Sequence, residues 1–391
     1  MRQLEKGGPR FIMIGGFLGA GKTTTLLKLA HRLQRSGKKV GIVTNDQAAG
    51  LVDTALIEEL DLPVREITGG CFCCNSESLV DALRRLSQET KPDVFIAEPV
   101  GSCTDLMATV SLPLKQIYNT GFSMAPYTVV VDPYRALQSL GIGESSAFSP
   151  DINYIYRKQL EEAEIIVINK VDVLPDHFLE RLRRALLKEY PDARIFTAAV
   201  RTGLGLPELF TELLSKDSQS SKIMEVDYER YARGEALLGW YNGKFLVEPA
   251  AEEFNGNAWI LENANRVQVE LQRSEIEIAH FKMSLVSNMG VSGGAKPERR
   301  SASAATSEAG NLAAVSLVNS GEKAVLRRAL SEPLSQGVLT VNLRAEGPPE
   351  FLAEAIHKVL ASYQAGVKAV ALREEWFRPA APNPTHRVSG V

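Results

Sequence analysis

The 391-residue sequence has almost no net charge, few cysteines and histidines, and no long apolar run, and each shortage removes a class of function. Forty-four lysines and arginines stand against 47 aspartates and glutamates, a formal net charge of -3. No basic excess is present to hold nucleic acid or an anionic membrane surface, so neither is expected as a partner. No run of 18 or more apolar residues occurs, which excludes an ordinary membrane-crossing helix. The apolar stretch Phe11 to Leu18 passes into Gly19-Ala20-Gly21-Lys22 with no small-residue cleavage site, so a secretory leader is not expected and a cytoplasmic location is. The five histidines, His31, His177, His280, His357 and His386, form no tract and read as structural or surface residues. Internal repeats are absent.

What is present is a regular alternation. Short apolar segments near Arg10–Ile14, Lys39–Thr44, Val64–Ile67, Asp93–Ala97, Tyr127–Val131, Ile165–Ile168 and Arg194–Thr197 read as strands. Between them fall helical patterns at Lys22–Arg35, Glu77–Ser87, Ile152–Ala163, Phe178–Glu189 and Pro207–Leu214. Strands buried on both faces and alternating with helices predict an α/β domain, a mostly parallel sheet with helices on both faces, over residues 10–216 after a loose tail at 1–9. The polar run Ser215–Ser221 marks a linker, taken as 217–235. Beyond it, strands near Leu237–Val247, Glu277–Val286, Ala313–Val318, Val338–Arg344 and Val367–Leu372, with helices Ala258–Leu271 and Glu350–Ser362, predict a smaller α+β domain over 236–378. A Ser-, Gly- and Ala-rich mobile insertion is expected at 287–310 and a loose tail at 379–391.

Two motifs specify the chemistry of the first domain. Gly16-Phe17-Leu18-Gly19-Ala20-Gly21-Lys22-Thr23 fits GxxxxGK[ST] between a strand and a helix, the P-loop NTPase context. Gly16, Gly19, Ala20, Gly21 and Thr24 belong to its phosphate cradle, in which backbone N–H groups and the helix terminus face phosphate oxygens. Lys22 is expected at the β and γ phosphates and the Thr23 hydroxyl on Mg²⁺. Asn169-Lys170-Val171-Asp172 follows an apolar strand and resembles the NKxD motif of GTPases, in which Asp172 would pair with guanine N1–H and N2–H while the Lys170 stem lies along the base. Adenine lacks that donor pair, so the nucleotide expected is GTP. The strand Asp93–Ala97 delivers Glu98-Pro99-Val100-Gly101, and Glu98 with the Gly101 N–H are candidate γ-phosphate and Mg²⁺ sensors. Thr197–Leu206 occupies the position of a loop closing over the guanine.

Three of the four cysteines crowd into Cys71-Phe72-Cys73-Cys74 behind Gly69-Gly70. In a reducing compartment such a cluster points to metal binding or catalysis before disulfides. Three thiolates fill three corners of a tetrahedron and, as soft ligands, favour Zn²⁺ or Cu(I), with cobalt and nickel also open. Buried small hydrophobes or a redox thiol pair are the competing readings. Asp46 and Asp53 are candidate acids near Mg²⁺ or a transported metal, and solvated loop acids otherwise. Cys103, two residues past Gly101, is either a packed thiol or an additional ligand.

With these motifs in this order, the chain resembles the CobW family of metal-linked GTPases, relatives of the nickel accessory GTPases of hydrogenase and urease. The likeness rests on Gly16–Thr23, on Gly70-Cys71-Phe72-Cys73-Cys74 matching GCxCC, on Glu98-x-x-Gly101 and on Asn169–Asp172, and it spans roughly residues 10–215. It implies GTP hydrolysis, Mg²⁺, and a transition metal on Cys71, Cys73 and Cys74. The chain departs from the family at Asn45-Asp46-Gln47-Ala48-Ala49, where Asn-Glu-Phe-Gly-Glu is usual, and at Pro99-Val100. The expected function is a GTP-hydrolysing metallochaperone or insertase. A GTPase that reactivates a metallo- or corrinoid enzyme, and a metal- or redox-sensing switch, are the alternatives. Expected partners are GTP, a client metalloprotein and, in the GTP state, a second copy of the chain.

Overall fold

The computed structural model describes residues 8–45, 63–67, 71–117, 121–143, 148–250, 252–287, 311–362 and 366–389. Asp46, Asp53 and the insertion expected at 287–310, apart from Ser287, lie outside them. The chain divides into two compact units, one of residues 1–236 with 380–391 and one of residues 237–379.

The first unit is built on strands β1 (Arg10–Gly15), β2 (Val40–Asn45), β3 (Val64–Ile67), β4 (Val94–Glu98), β5 (Ser123–Met124), β6 (Thr128–Val131), β7 (Ile165–Ile168) and β8 (Arg194–Thr197). Among the described residues these make one parallel sheet in the order β3-β2-β4-β1-β6-β7-β8, with β5 beside β1. The sequence reason is visible in β1, where Phe11, Ile12, Met13 and Ile14 are all buried, as a strand covered on both faces requires. Ile12 and Ile14 pack into a core with Leu26, Leu29 and Leu33 of α1 (Lys22–Arg35) and with Leu209 and Phe210 further along the chain, while Phe11 points the other way and stacks on Phe122 at 5.8 Å. Further helices are α2 (Ser76–Glu89), α3 (Leu112–Gln116), α4 (Pro133–Ser139), α5 (Pro150–Glu161), α6 (Asp176–Glu189) and α7 (Leu206–Ser215).

The site is positioned by where the strands stop. Register pairs Thr44 with Glu98, Asn45 with Ile67, Val131 with Ile168, and Ile168 with Thr197. Asn45, Glu98, Asp132, Asn169 and the loop after Gly15 therefore all emerge at the carboxyl edge of the sheet, where open α/β sheets bind ligands.

Two expectations need correction. The stretch expected as a linker, 217–235, carries most of helix α8 (Tyr228–Leu237), whose residues up to Ala236 belong to the first unit. Its composition is charged outside, but Tyr231 and Glu235 are buried and the Tyr231 hydroxyl accepts a hydrogen bond from the Thr104 N–H at 3.2 Å. The stretch expected as a loose tail, 379–391, belongs to the first unit from Ala380 onward, and its described residues are held by hydrogen bonds, the Thr385 and Val388 N–H groups meeting the Cys73 and Ala108 carbonyls.

The second unit contains β9 (Leu238–Pro249), α9 (Gly256–Arg273), β10 (Ile278–Ser287), β11 (Leu312–Leu317), β12 (Val325–Arg328), β13 (Gly337–Glu346), α10 (Pro349–Leu360) and β14 (Val367–Phe377). Among the described residues its antiparallel sheet runs β12-β11-β10-β13-β9-β14. Trp259, Ile260, Val267 and Leu271 of α9 and Leu352, Ile356 and Val359 of α10 join Phe245, Phe281, Met283, Val341 and Leu343 in one core. The short strand β12 is absent from the sequence reading, since Val325-Leu326-Arg327-Arg328 has no apolar run to announce it. No helix among the described residues is long and apolar enough to cross a membrane.

The packing of α8 is testable at Gly234. A Cβ placed there would lie 2.7 Å from the Asp151 carbonyl oxygen and from Ile155 Cδ1. In an exposed helix Gly→Ala stabilises by about 1 kcal/mol, whereas overpacking costs about 1–3 kcal/mol. We expect Gly234→Ala to lower the midpoint of thermal unfolding; a raised midpoint would show that α8 does not pack on α5.

Candidate nucleotide and metal site

The phosphate-loop residues bend in left-handed conformations at Gly16, Gly19 and Gly21 before α1 begins at Lys22. Lys22 is buried; its Nζ donates to the Phe17 carbonyl at 3.3 Å and lies 4.0 Å from Glu98 Oε1. The Thr23 hydroxyl donates to the same Glu98 oxygen at 2.9 Å. Thr23 and Glu98, 75 residues apart in sequence, thus present two hard oxygen donors beside a lysine, a set suited to Mg²⁺. Past β4, Gly101 abuts the loop from the other side: a Cβ there would sit 3.0 Å from the Leu18 backbone nitrogen and 2.8 Å from Leu18 Cδ2. Only glycine allows this approach without displacing the loop.

Asn169 acts as a three-way brace. Its Nδ2 donates to the Ala20 carbonyl at 2.8 Å, and its Oδ1 accepts from the N–H groups of Lys170 (2.7 Å) and Val200 (3.0 Å). The loop after β8 is thereby held against the phosphate loop, and the Val171 N–H donates to Ala198 O at 3.2 Å. Lys170 takes a left-handed conformation, and its ammonium lies 2.6 Å from Asp132 Oδ2. Asp132 was not singled out from the sequence. Burial pushes its carboxyl up, but the Lys170 charge and hydrogen bond, with Arg135, more than offset this and hold it below the usual range. It also caps α4, accepting from the N–H groups of Tyr134 and Arg135. The signal was Val131-Asp132-Pro133, an Asp-Pro helix start at a strand end. Asp172 lies in a short 3₁₀ turn, 3.5 Å from exposed Arg201.

Cys71, Cys73 and Cys74 form a turn in front of α2. Their Sγ–Sγ separations are 2.6 Å (71–73), 2.9 Å (71–74) and 3.6 Å (73–74), so one ion could touch all three. Cys71 and Cys73 are buried and Cys74 is half-buried. The turn is fixed by Asn45 at the end of β2, whose Oδ1 accepts from the Phe72 N–H at 2.7 Å while its Nδ2 donates to Ile67 O at 3.0 Å. Cys103, buried past Gly101, lies outside the group of three whose sulfurs could hold one ion, yet is near enough to perturb the Cys71 and Cys73 thiols. Thiol hydrogen bonding, from Cys103 first and then Cys73 and Cys74, pulls Cys71 well below the ordinary thiol range; hydrogen bonding to Cys71 pushes Cys74 up to about 11, and Cys103 and Cys73 also rise. A soft divalent ion replaces this frustrated arrangement with thiolate bonds, so the donor set fits a thiophilic metal.

The segment between Gly101 and Met107 is clamped by α5. Gln159 Nε2 donates to the carbonyls of Gly101 (2.9 Å) and Cys103 (2.8 Å), and Glu162 accepts from Thr104 Oγ1 (3.2 Å) and the Met107 N–H (3.1 Å). Burial pushes Glu162 up to about 8 despite these donors.

Residues 10–197 match the family model described as the CobW/HypB/UreG nucleotide-binding domain. The zinc chaperone YeiR of Escherichia coli is 32% identical over 164 residues, covering 41% of this chain and 46% of that protein. The zinc chaperone CobW of Pseudomonas aeruginosa is 25% identical over 219 residues, 50% of this chain and 58% of its own. The chain thus spans about half the length of these relatives. Among solved structures, Zn(II)-bound YjiA GTPase from E. coli is 15% identical with a TM-score of 0.37, covering 90% of this chain and 99% of that one. HypB from Helicobacter pylori in complex with nickel is 22% identical with a TM-score of 0.40, covering 55% of this chain and 92% of the other.

Glu162 yields a pH prediction. Its folded-state value of about 8 lies above the ordinary carboxylate's 4.5, so the folded protein holds a proton that the unfolded chain has lost between those values. Stability therefore falls as pH rises from about 4.5 through 8. We expect Glu162→Gln to raise the thermal midpoint of the first unit at pH 8.5 relative to the parent by about 2–4 °C, the effect of roughly 1 kcal/mol on a unit of about 150–250 residues, and by much less at pH 5. Parallel pH profiles for the two proteins would refute it.

Proposed function

We propose, from the premise that residues 10–197 belong to the CobW/HypB/UreG nucleotide-binding family, that the chain hydrolyses GTP and uses the cycle to hand a thiophilic metal, zinc first, to a client metalloprotein. The observation that carries the reading is that the Thr23–Glu98 pair and the three-thiol turn are anchored at neighbouring strand ends, Glu98 closing β4 and Asn45, which holds the Phe72 N–H, closing β2. In this reading Lys22 neutralises phosphate charge, Thr23 and Glu98 hold Mg²⁺ or its waters, and the Gly101 N–H senses the γ phosphate. Bound Mg²⁺ would supply charge neutralisation at the phosphates. Gly16, Gly19, Ala20, Gly21 and Thr24 line the phosphate site, and Asn169, with its three hydrogen bonds, holds the base loop in register. Asp132 fixes the Lys170 stem, and Asp172 exchanges its Arg201 contact for the guanine edge.

Cys71, Cys73 and Cys74 hold the metal, with Cys103 as a fourth ligand. That fourth thiol matters because Asp46 to Ala49 depart from the acids usual in the family. A sulfur ligand two residues past the γ-phosphate sensor gives the nucleotide a direct lever on the coordination shell: a tenfold change in metal affinity needs about 1.4 kcal/mol of coupling. Zinc being cargo, the thiols release protons as it binds.

Three expected results test this. The protein binds GTP at least about tenfold more tightly than ATP, and Asp172→Ala removes most of the difference, since the cost of an unpaired carboxylate is on the order of 1–3 kcal/mol. Steady-state phosphate release vanishes in Lys22→Ala. One equivalent of zinc copurifies or titrates in, and Cys73→Ser abolishes it without loss of GTP binding. Equal affinity for the two nucleotides, turnover in Lys22→Ala, or unchanged zinc in Cys73→Ser would each break the reading at a different point.

A further inference from the structure

The stretch after the second unit lies across the cysteine turn as an extended strap. Ala380-Ala381-Pro382-Asn383-Pro384-Thr385 adopts no helix or strand, and its two prolines remove backbone donors at alternate positions and stiffen the chain. Two of the backbone donors that remain, with one hydroxyl, reach the cysteine turn. The Asn383 N–H reaches Cys74 Sγ at 3.3 Å, the Thr385 N–H donates to Cys73 O at 2.9 Å, and the Thr385 hydroxyl donates to Cys74 O at 3.0 Å. Further along, the Val388 N–H donates to Ala108 O at 3.0 Å. Between them Arg387 donates from Nε to Asp105 Oδ2 at 2.7 Å and from its terminal nitrogen to Met224 O at 2.8 Å.

Asp105 gives the strap its anchor. It is buried to 1% exposure, adopts a left-handed backbone conformation unusual for a residue with a side chain, and also accepts from the Tyr228 hydroxyl at 2.6 Å. Arg387 is the one cation paired with it among the described residues. A carboxylate at that depth is expensive to leave without a cation, so a groove vacated by the strap demands another positive side chain in the same place. The other strap hydrogen bonds given above go to main-chain carbonyls or a sulfur, which any extended segment satisfies.

We propose that this groove, running from Cys73 and Cys74 to Asp105 and Ala108, is a peptide-docking site whose resting occupant is the chain's own 380–389. Its incoming partner is an extended protein segment that places an arginine on Asp105. Docking exchanges one extended segment for another and lifts the strap from Cys74, the most exposed of the clustered thiols. The docking inference stands on the hydrogen bonds just given; its use in metal transfer rests on the metal-handling reading above.

The test uses the metal-free protein first, so that it stands whether or not the metal reading does. A fluorescent peptide of residues 379–389 is titrated into a variant ending at Pro379 and followed by anisotropy. Saturable binding is expected, weakened about tenfold or more when the peptide carries Arg387→Ala or the protein Asp105→Asn, and much weaker binding is expected to the full chain, whose groove is filled. Because the shortened variant could fold poorly, the full chain with Arg387→Glu is treated with a chromogenic thiol reagent, and Cys74 should react about tenfold faster than in the parent. No peptide binding by a folded shortened protein, or equal Cys74 reactivity in Arg387→Glu and parent, overturns the docking site. Zinc transfer to a chelator is then compared in the zinc-loaded proteins: equal rates alongside positive results in the first two assays would leave the groove standing and remove its role in transfer.

Discussion

The hydrogen bond from the Thr23 hydroxyl to Glu98 is the joint on which the arrangement depends. It ties the first turn of α1 to the end of β4, so that whatever occupies the phosphate loop bears on the residues that follow Glu98. Those residues are few and tightly held. Gly101 touches Leu18 on one side, Gln159 fixes the carbonyls of Gly101 and Cys103, and Glu162 fixes Thr104 and Met107. A segment with so many fixed points is poorly placed to absorb a displacement by bending, which is the property the proposed nucleotide switch needs.

The second constraint is the crowding of thiols. Three sulfurs this close, with the buried Cys103 perturbing them, can neither all ionise nor remain indifferent to one another, and their protonation is a shared property. Asn45 sets the turn that carries three of them, and it does so from the strand leading into the altered segment Asp46 to Ala49. Glu98, bonded to Thr23, and Asn45, bonded to the cysteine turn, therefore stand at the ends of the neighbouring strands β4 and β2. The proposed function follows from that shared footing more than from any single residue.

Much of this was legible in the sequence. The phosphate loop, Asn169–Asp172 and the cysteine turn are contiguous, and contiguous chemistry survives translation into three dimensions. The parallel sheet was readable because strands covered on both faces are apolar throughout. What escaped reading were residues whose roles arise only when distant strand ends meet: Asp132 on Lys170, Asn45 on Phe72, and Gln159 on Gly101 and Cys103. Helix α8 escaped because its buried residues are Tyr231, Gly234 and Glu235, which no hydrophobic pattern picks out. Residues 380–389 read as loose because prolines and polar residues resemble disorder, although the same prolines prepare an extended segment to bind.

The measurement closest to the central claim is the affinity of zinc for the protein in two nucleotide states, by competition with a chromophoric chelator in the presence of GDP and of a non-hydrolysable GTP analogue. Linkage requires that any difference appear with the same factor in nucleotide affinity with and without zinc. The account expects a difference of about tenfold or more, corresponding to roughly 1.4 kcal/mol carried through Glu98 to Cys103, and its collapse in Cys103→Ser. Identical zinc affinities in the two states, with both nucleotides shown to be bound, would contradict it.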